Sequence, residues 1–179
     1  KWESETNAPK AVICLVHGFG EHSSRYEHVA QFLTDNQYAV IAYDHRGHGR
    51  SGGRKGHFIS YDEFMNDVGN LVKQAELNFP NLPKIVYGHS MGGNVVANYA
   101  IKRQPKVAGI ILSSPFFNTA FQPPAIKIAV GKFMRNLIPT LSLPSGLDVN
   151  AISRDKEVVK KYSNDPMVFD IISSKMGIE

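Results

Sequence analysis

Gly88-His89-Ser90-Met91-Gly92 sets a serine between two glycines, and few other settings make a serine hydroxyl chemically useful. The hydroxyl is a poor nucleophile unless it is held at a strained turn, beside a base, with N–H donors waiting for the oxyanion. The flanking glycines, Gly88 and Gly92, remove side chains that would collide where a strand folds sharply into a helix, which leaves Ser90 exposed at the turn. A helix starting there adds a favourable field for negative charge. The chemistry such a turn serves is attack on an acyl carbonyl.

An oxyanion site at such a turn needs one backbone N–H from the residue after the nucleophile, which is Met91, and one from the loop after an earlier strand. His17-Gly18-Phe19-Gly20 follows an apolar run and supplies the second donor, Phe19. Gly18 and Gly20 let that backbone turn inward. His17 and His48 are read as polar groups of the loops around the site. His89 adjoins the nucleophile, but its side chain leaves the turn in another direction and is not read as the base.

Gly47-His48-Gly49-Arg50-Ser51-Gly52 matches the dinucleotide pattern G-x-G-x-x-G. That pattern must open an apolar helix, and the following Arg54-Lys55-Gly56-His57-Phe58 is polar and glycine-broken, so we read a loop. Asp44 and Arg46 then serve as hydrogen-bonding groups that hold it. None of the seven histidines follows Ser90. Where a nucleophile of this kind is followed in the chain by its acid and then its histidine, the base is missing here. Asp148, Asp155, Asp165 and Asp170 come later, yet with no histidine to orient none is assigned as the acid. No histidine and acid spacing resembles a zinc site, so no metal is expected.

The elements that must position these residues are legible as periodicity. Apolar runs at 11–16, 38–43, 84–87 and 109–112 read as strands, apolar on both faces, as in a parallel sheet covered by helices. A helix over 61–79 carries Phe64, Val68, Leu71, Val72, Ala75 and Phe79 on one stripe; Ser60 and Glu63 form a capping box at its start, and Pro80 ends it. A second helix spans about 25–36, with Val29, Phe32 and Leu33, and a third runs from the nucleophile to about Gln104, stopped by Pro105. Strand and helix alternate as in a doubly wound α/β fold with a mostly parallel sheet and flanking helices. From 116 to 144 apolar residues and prolines crowd together, and Ile126, Val130, Phe133 and Leu137 repeat at helical spacing, with Lys127, Lys132 and Arg135 off the stripe.

Bulk properties agree with one compact unit. The 179 residues are 42% hydrophobic and carry a net charge of +4 spread along the chain, too little to name a nucleic-acid partner. The single cysteine, Cys14, sits inside an apolar run and suits a buried thiol, pointing to a reducing compartment. No apolar run is long enough to cross a bilayer.

His17-Gly-Phe-Gly-Glu-His-Ser-Ser-Arg-Tyr26, Asp44-His-Arg-Gly-His-Gly-Arg-Ser51, Gly88-His-Ser-Met-Gly-Gly93 and the late Ser153-Arg-Asp-Lys through Asn164-Asp-Pro166 together resemble the monoacylglycerol lipases and lysophospholipase-like α/β-hydrolases. The match is collinear over nearly the whole chain. The resemblance implies hydrolysis of one fatty acyl ester through an acyl-enzyme on Ser90, with no cofactor and with Phe19 and Met91 as oxyanion donors. It casts 1–115 as the core and 116–179 as a cap and the start of the return to the core. In that cap, Phe116, Ile126, Val130, Phe133 and Leu137 are expected to line an acyl channel and touch membrane from the cytoplasmic side.

The chain departs from the family pattern in having no acid and histidine beyond the cap, and the family's first strands are not expected before residue 11. It therefore reads as a fragment, with a missing segment or a second chain supplying both groups. Competing readings are a short-chain carboxylesterase, a peptidase of related fold, and a non-catalytic module that holds a lipid or a partner on a hydrolase scaffold. Haloalkane and epoxide hydrolases are disfavoured because they need a carboxylate where Ser90 stands.

Overall fold

A computed structural model describes residues 1–3, 8–118 and 124–178. Four strands form one sheet: β1 Ala11–Val16, β2 Tyr38–Ala42, β3 Lys84–His89 and β4 Gly109–Ser113. Their order is β2-β1-β3-β4, and every pairing is parallel. All six residues of central β1 are buried, and they divide by the alternation of a strand. Val12, Cys14 and Val16 face one core and Ile13 and Leu15 the other.

Helices α2 Tyr61–Asn78 and α3 Met91–Arg103 cover the first face, and α1 Glu27–Asp35 covers the second. The stripe expected on α2 is the buried one, with Phe64, Val68, Leu71 and Ala75 inside. Between β1 and α1 the chain makes a 3-10 turn, Ser23–Tyr26, so the helix expected over 25–36 begins two residues late. The expected capping box at Ser60 is corrected. Ser60 occupies the N-cap, but its side chain makes no capping bond. The Glu63 carboxylate turns away to Arg46 Nη1 at 2.9 Å, because an ion pair across to the loop competes better than the neutral Ser60 backbone N–H it would accept from in a capping box.

Two further expectations change. β4 is not buried on both faces: Ile110, Ile111 and Leu112 are 37%, 45% and 38% exposed, since among the described residues no strand lies beyond this edge. At the other edge, Trp2 pairs antiparallel with Val40 through two 2.8 Å bonds, so strand pairing begins before residue 11.

The stripe at 126–137 forms helix α4, Ala125–Leu137. Residues 119–123 of the apolar stretch lie outside the described residues. Beyond α4, a small antiparallel pair, β5 Ser142–Pro144 with β6 Ile171–Ser173, flanks α5 Lys156–Ser163, which is capped by Asp155 through the Glu157 N–H. Three-residue strands carry no readable period, so this pair has no counterpart in the sequence reading.

Candidate active site

Ser90 sits between the end of β3 and the first residue of α3 with φ 51° and ψ −119°. That region is costly for any residue with a Cβ and persists only where the surroundings over-determine it. Here they do. The Ser90 N–H donates to the Ser113 carbonyl at 3.0 Å, and its own carbonyl accepts from Asn94 and Phe116 at 3.1 and 3.0 Å. A Cβ at Gly92 would lie 2.3 Å from the His17 carbonyl oxygen, and one at Gly88 would lie 2.5 Å from the Gly92 carbonyl oxygen. Both glycines thus let α3 start hard against the ends of β1 and β3.

The loop after β1 comes to the same place. A Cβ added to Gly18 would stand 3.2 Å from the Ser90 Cβ, so the Gly18-Phe19 backbone passes directly beside Ser90. Among the described residues nothing accepts from the N–H of Phe19 or of Met91. Met91 is the first residue of α3, where N–H groups have no intrahelical acceptor and face any anion placed there. Glu21 secures this loop, accepting from the Gly18 N–H at 2.8 Å, the Tyr26 hydroxyl at 2.6 Å and Arg25 Nε at 3.1 Å.

The imidazoles nearby are engaged elsewhere. His89, the last residue of β3, has its Nδ1 3.1 Å from the Ser113 hydroxyl. His17 and His48 are buried in the loops beside the site, together with His45, with ring centroids 4.5 to 5.9 Å apart. Burial, the largest influence on each, holds all three below the ordinary histidine range, His48 at about 4. They are therefore neutral at pH 7. No described residue hydrogen-bonds the Ser90 hydroxyl.

The loop from 43 to 60 opens no helix at Gly52, and the next helix is α2. Asp44 accepts from the Ser23 N–H and hydroxyl and from the Arg50 N–H. Arg46 grips Asp67 with two bonds, at 2.9 and 3.0 Å. Both hold the loop in place. Among the described residues no cluster of His, Cys, Asp or Glu is arranged to hold a metal.

Of the apolar residues placed in the cap, Ile126 and Val130 line a cavity of about 470 Å³ with Met134, Leu143, Ile172 and Ile178. Phe133 and Leu137 do not line it, and like Ile126 and Val130 they are more than half exposed. Phe116 is half-exposed while its backbone is bolted to the elbow: its N–H reaches Ser90, and its carbonyl accepts from Asn94 Nδ2 at 2.8 Å.

One contact had no signal in the sequence. His22 Nε2 and Asp165 Oδ2 meet at 2.8 Å although 143 residues separate them, and the Phe169 N–H donates to the Gly20 carbonyl at 3.0 Å. With the Phe19 and Phe169 rings 5.6 Å apart, the stretch after α5 lies against the loop that carries Phe19. Only the tertiary structure brings these residues together.

A parallel sheet flanked by helices, with a strained serine between strand and helix, defines an α/β-hydrolase. Solved structures agree. The chain superimposes on a Paleococcus ferrophilus monoacylglycerol lipase with TM-score 0.84 at 37% identity, covering 96% of this chain and 65% of that one. It superimposes on a soluble variant of Saccharomyces cerevisiae monoglyceride lipase, solved with a substrate analogue, with TM-score 0.80 at 28% identity, covering 97% and 59%.

The family model for serine aminopeptidase, S33, matches residues 7–179, and the chain belongs to that family. Among curated relatives, the monoacylglycerol lipase of Mycolicibacterium smegmatis is 42% identical over 93% of this chain, and the human monoglyceride lipase is 36% identical over 91%. The chain spans 59% and 54% of their respective lengths.

Proposed function

We propose that this chain is the nucleophile-bearing part of a serine hydrolase that cleaves a fatty acyl ester of a monoacylglycerol or lysophospholipid. The observation that carries the reading is Ser90, held at φ 51° beside the Gly18-Phe19 backbone. The Ser90 oxygen attacks the ester carbonyl as its proton passes to a base. The carbonyl oxygen gathers negative charge between the N–H groups of Phe19 and Met91, each such donor supplying about a hundred- to a thousand-fold in rate. The carbon–oxygen bond to the alcohol then breaks, the alcohol leaves with the proton, and water repeats the sequence to release the fatty acid.

The base and its orienting acid come from outside these 179 residues, from further sequence or a second chain, because no described histidine hydrogen-bonds the Ser90 hydroxyl, and His17 and the His89 Nδ1 are bonded elsewhere. Residues 1–115 are the core, and 116–179 the cap and the start of the return to the core. Ile126 and Val130 offer an acyl chain an apolar wall, and exposed Phe133 and Leu137 suit contact with a membrane surface from the cytoplasmic side. No helix among the described residues is long and apolar enough to cross a membrane.

Intact mass spectrometry after exposure to a fluorophosphonate tests this reading. We expect one adduct, absent from Ser90→Ala, on the protein supplied with its base, and faster turnover of long-chain monoacylglycerol than of short-chain esters. Failure to form the adduct would sink the hydrolase reading and leave a lipid- or partner-binding module. An adduct with preferred cleavage of an aminoacyl amide would instead favour the peptidase chemistry named in the family's description.

A further inference from the structure

The Gly18 carbonyl and the Phe19 N–H belong to one planar trans peptide and point in opposite directions. Whatever pins the carbonyl therefore aims the N–H. His17 Nδ1 lies 2.7 Å from that carbonyl oxygen. A carbonyl only accepts, so Nδ1 carries the proton. The His45 amide N–H donates to His17 Nε2 at 2.9 Å, and only a bare nitrogen can accept it. Both ring nitrogens are thus committed, to the Nδ1–H form.

The same accounting fixes the neighbouring ring. His45 Nε2 meets the His17 carbonyl at 3.1 Å and must donate, so Nδ1 accepts the Tyr43 hydroxyl at 3.0 Å. The Tyr43 hydroxyl donates to the His45 ring, which donates to the His17 carbonyl, while the His45 amide donates to the His17 ring, which donates to the Gly18 carbonyl. His17 and His45 are fully buried, and burial keeps both rings neutral, as this arrangement requires. On the other side of Gly18, Glu21 takes the N–H.

We propose that His17 is a positioning residue, locked by His45 in the Nδ1–H tautomer, which holds the Gly18–Phe19 peptide so that the Phe19 N–H faces the oxyanion formed on Ser90. The inference rests on the acyl-transfer reading of the site for its purpose. The lock itself does not.

Two-bond ¹H–¹⁵N correlation on the ¹⁵N-labelled protein at pH 7 reads the tautomers directly. His17 should show a protonated Nδ1 and a bare Nε2, and His45 the reverse. His17→Asn places an amide nitrogen where Nδ1 stood and keeps the bond to the Gly18 carbonyl. His17→Gln places it where Nε2 stood and loses that bond.

The Phe19 amide should therefore stay rigid in the wild type and in His17→Asn, with an order parameter of about 0.85, and loosen in His17→Gln. The rate of fluorophosphonate reaction at Ser90 should fall about ten- to a hundred-fold in His17→Gln, with asparagine restoring most of the loss. His17 found protonated at Nε2, or a Phe19 amide as rigid in His17→Gln as in the wild type, overturns the inference. Tautomer and rigidity are read without turnover, so a wild-type protein that shows both yet forms no Ser90 adduct supports the lock and refutes the hydrolase reading alone.

Discussion

Ser90 at φ 51° carries strain that glycine would not feel, since the Cβ of an L-residue crowds its own backbone in this region. Such strain costs on the order of 1–3 kcal/mol. Ser90→Gly should therefore be more stable than Ser90→Ala by about 1 kcal/mol, both being unable to form a covalent adduct. Urea unfolding of the two variants measures the difference directly, and equal midpoints would mean that the elbow is unstrained in solution. Much of this site is legible at the level of single residues. Gly88 and Gly92 report the turn because the close approach of α3 to β1 and β3 leaves no room for a Cβ. His17, by contrast, reads only as a polar loop residue, since which of its nitrogens holds a proton depends on His45, 28 residues away.

Among the elements, the four strands can be read as short apolar runs, α1 and α2 by apolar residues at a period of 3.6, and α3 by the serine turn that opens it and the proline that stops it. The part after α4 cannot, because its short strands and α5 are mostly exposed and are held by specific polar contacts. The contact between the stretch after α5 and the loop after β1 is the clearest instance. His22 is buried and has one partner among the described residues, Asp165, while its Nδ1 has none. Asp165→Ala leaves the ring buried with neither nitrogen paired, at a cost of about 1–3 kcal/mol. Because Phe169 donates to Gly20 within the same contact, its amide should lose hydrogen-exchange protection in that variant. Unchanged protection of Phe169 would show that backbone and aromatic contacts hold the stretch without the His22–Asp165 hydrogen bond.

At the scale of the whole molecule, the fold encloses three neutral imidazoles, and this sets how it responds to acid. His48 is 1% exposed, and burial, joined by the neighbouring His17, lowers it from 6.5 to about 4, against the opposing pull of the Arg46 carbonyl and the carboxylates Asp44 and Glu21. In the unfolded chain the same ring takes its proton near pH 6.5. Between pH 6.5 and about 4 the unfolded state therefore binds a proton that the folded state refuses, and stability falls as pH falls through that window. At about 1.36 kcal/mol per pH unit, His48 alone accounts for about 2 kcal/mol by pH 5, and His17 and His45 add in the same direction. Asp44 is held below the usual carboxylate value of 3.8, because its bonds to Arg50 and Ser23 outweigh the raising effect of burial. Asp165 is likewise low, burial being outweighed by its bonds to His22 and Met167. Their contributions are intact above that value and fade only below it, which separates them from the histidine window. Urea unfolding at pH 7.5 and pH 5 should show the loss, and His48→Asn, which cannot titrate, should make the profile shallower. A stability that stays level between those two pH values would mean that these rings take up protons alike in the folded and unfolded states, and would remove the basis for treating the cluster as neutral beside the loop at Ser90.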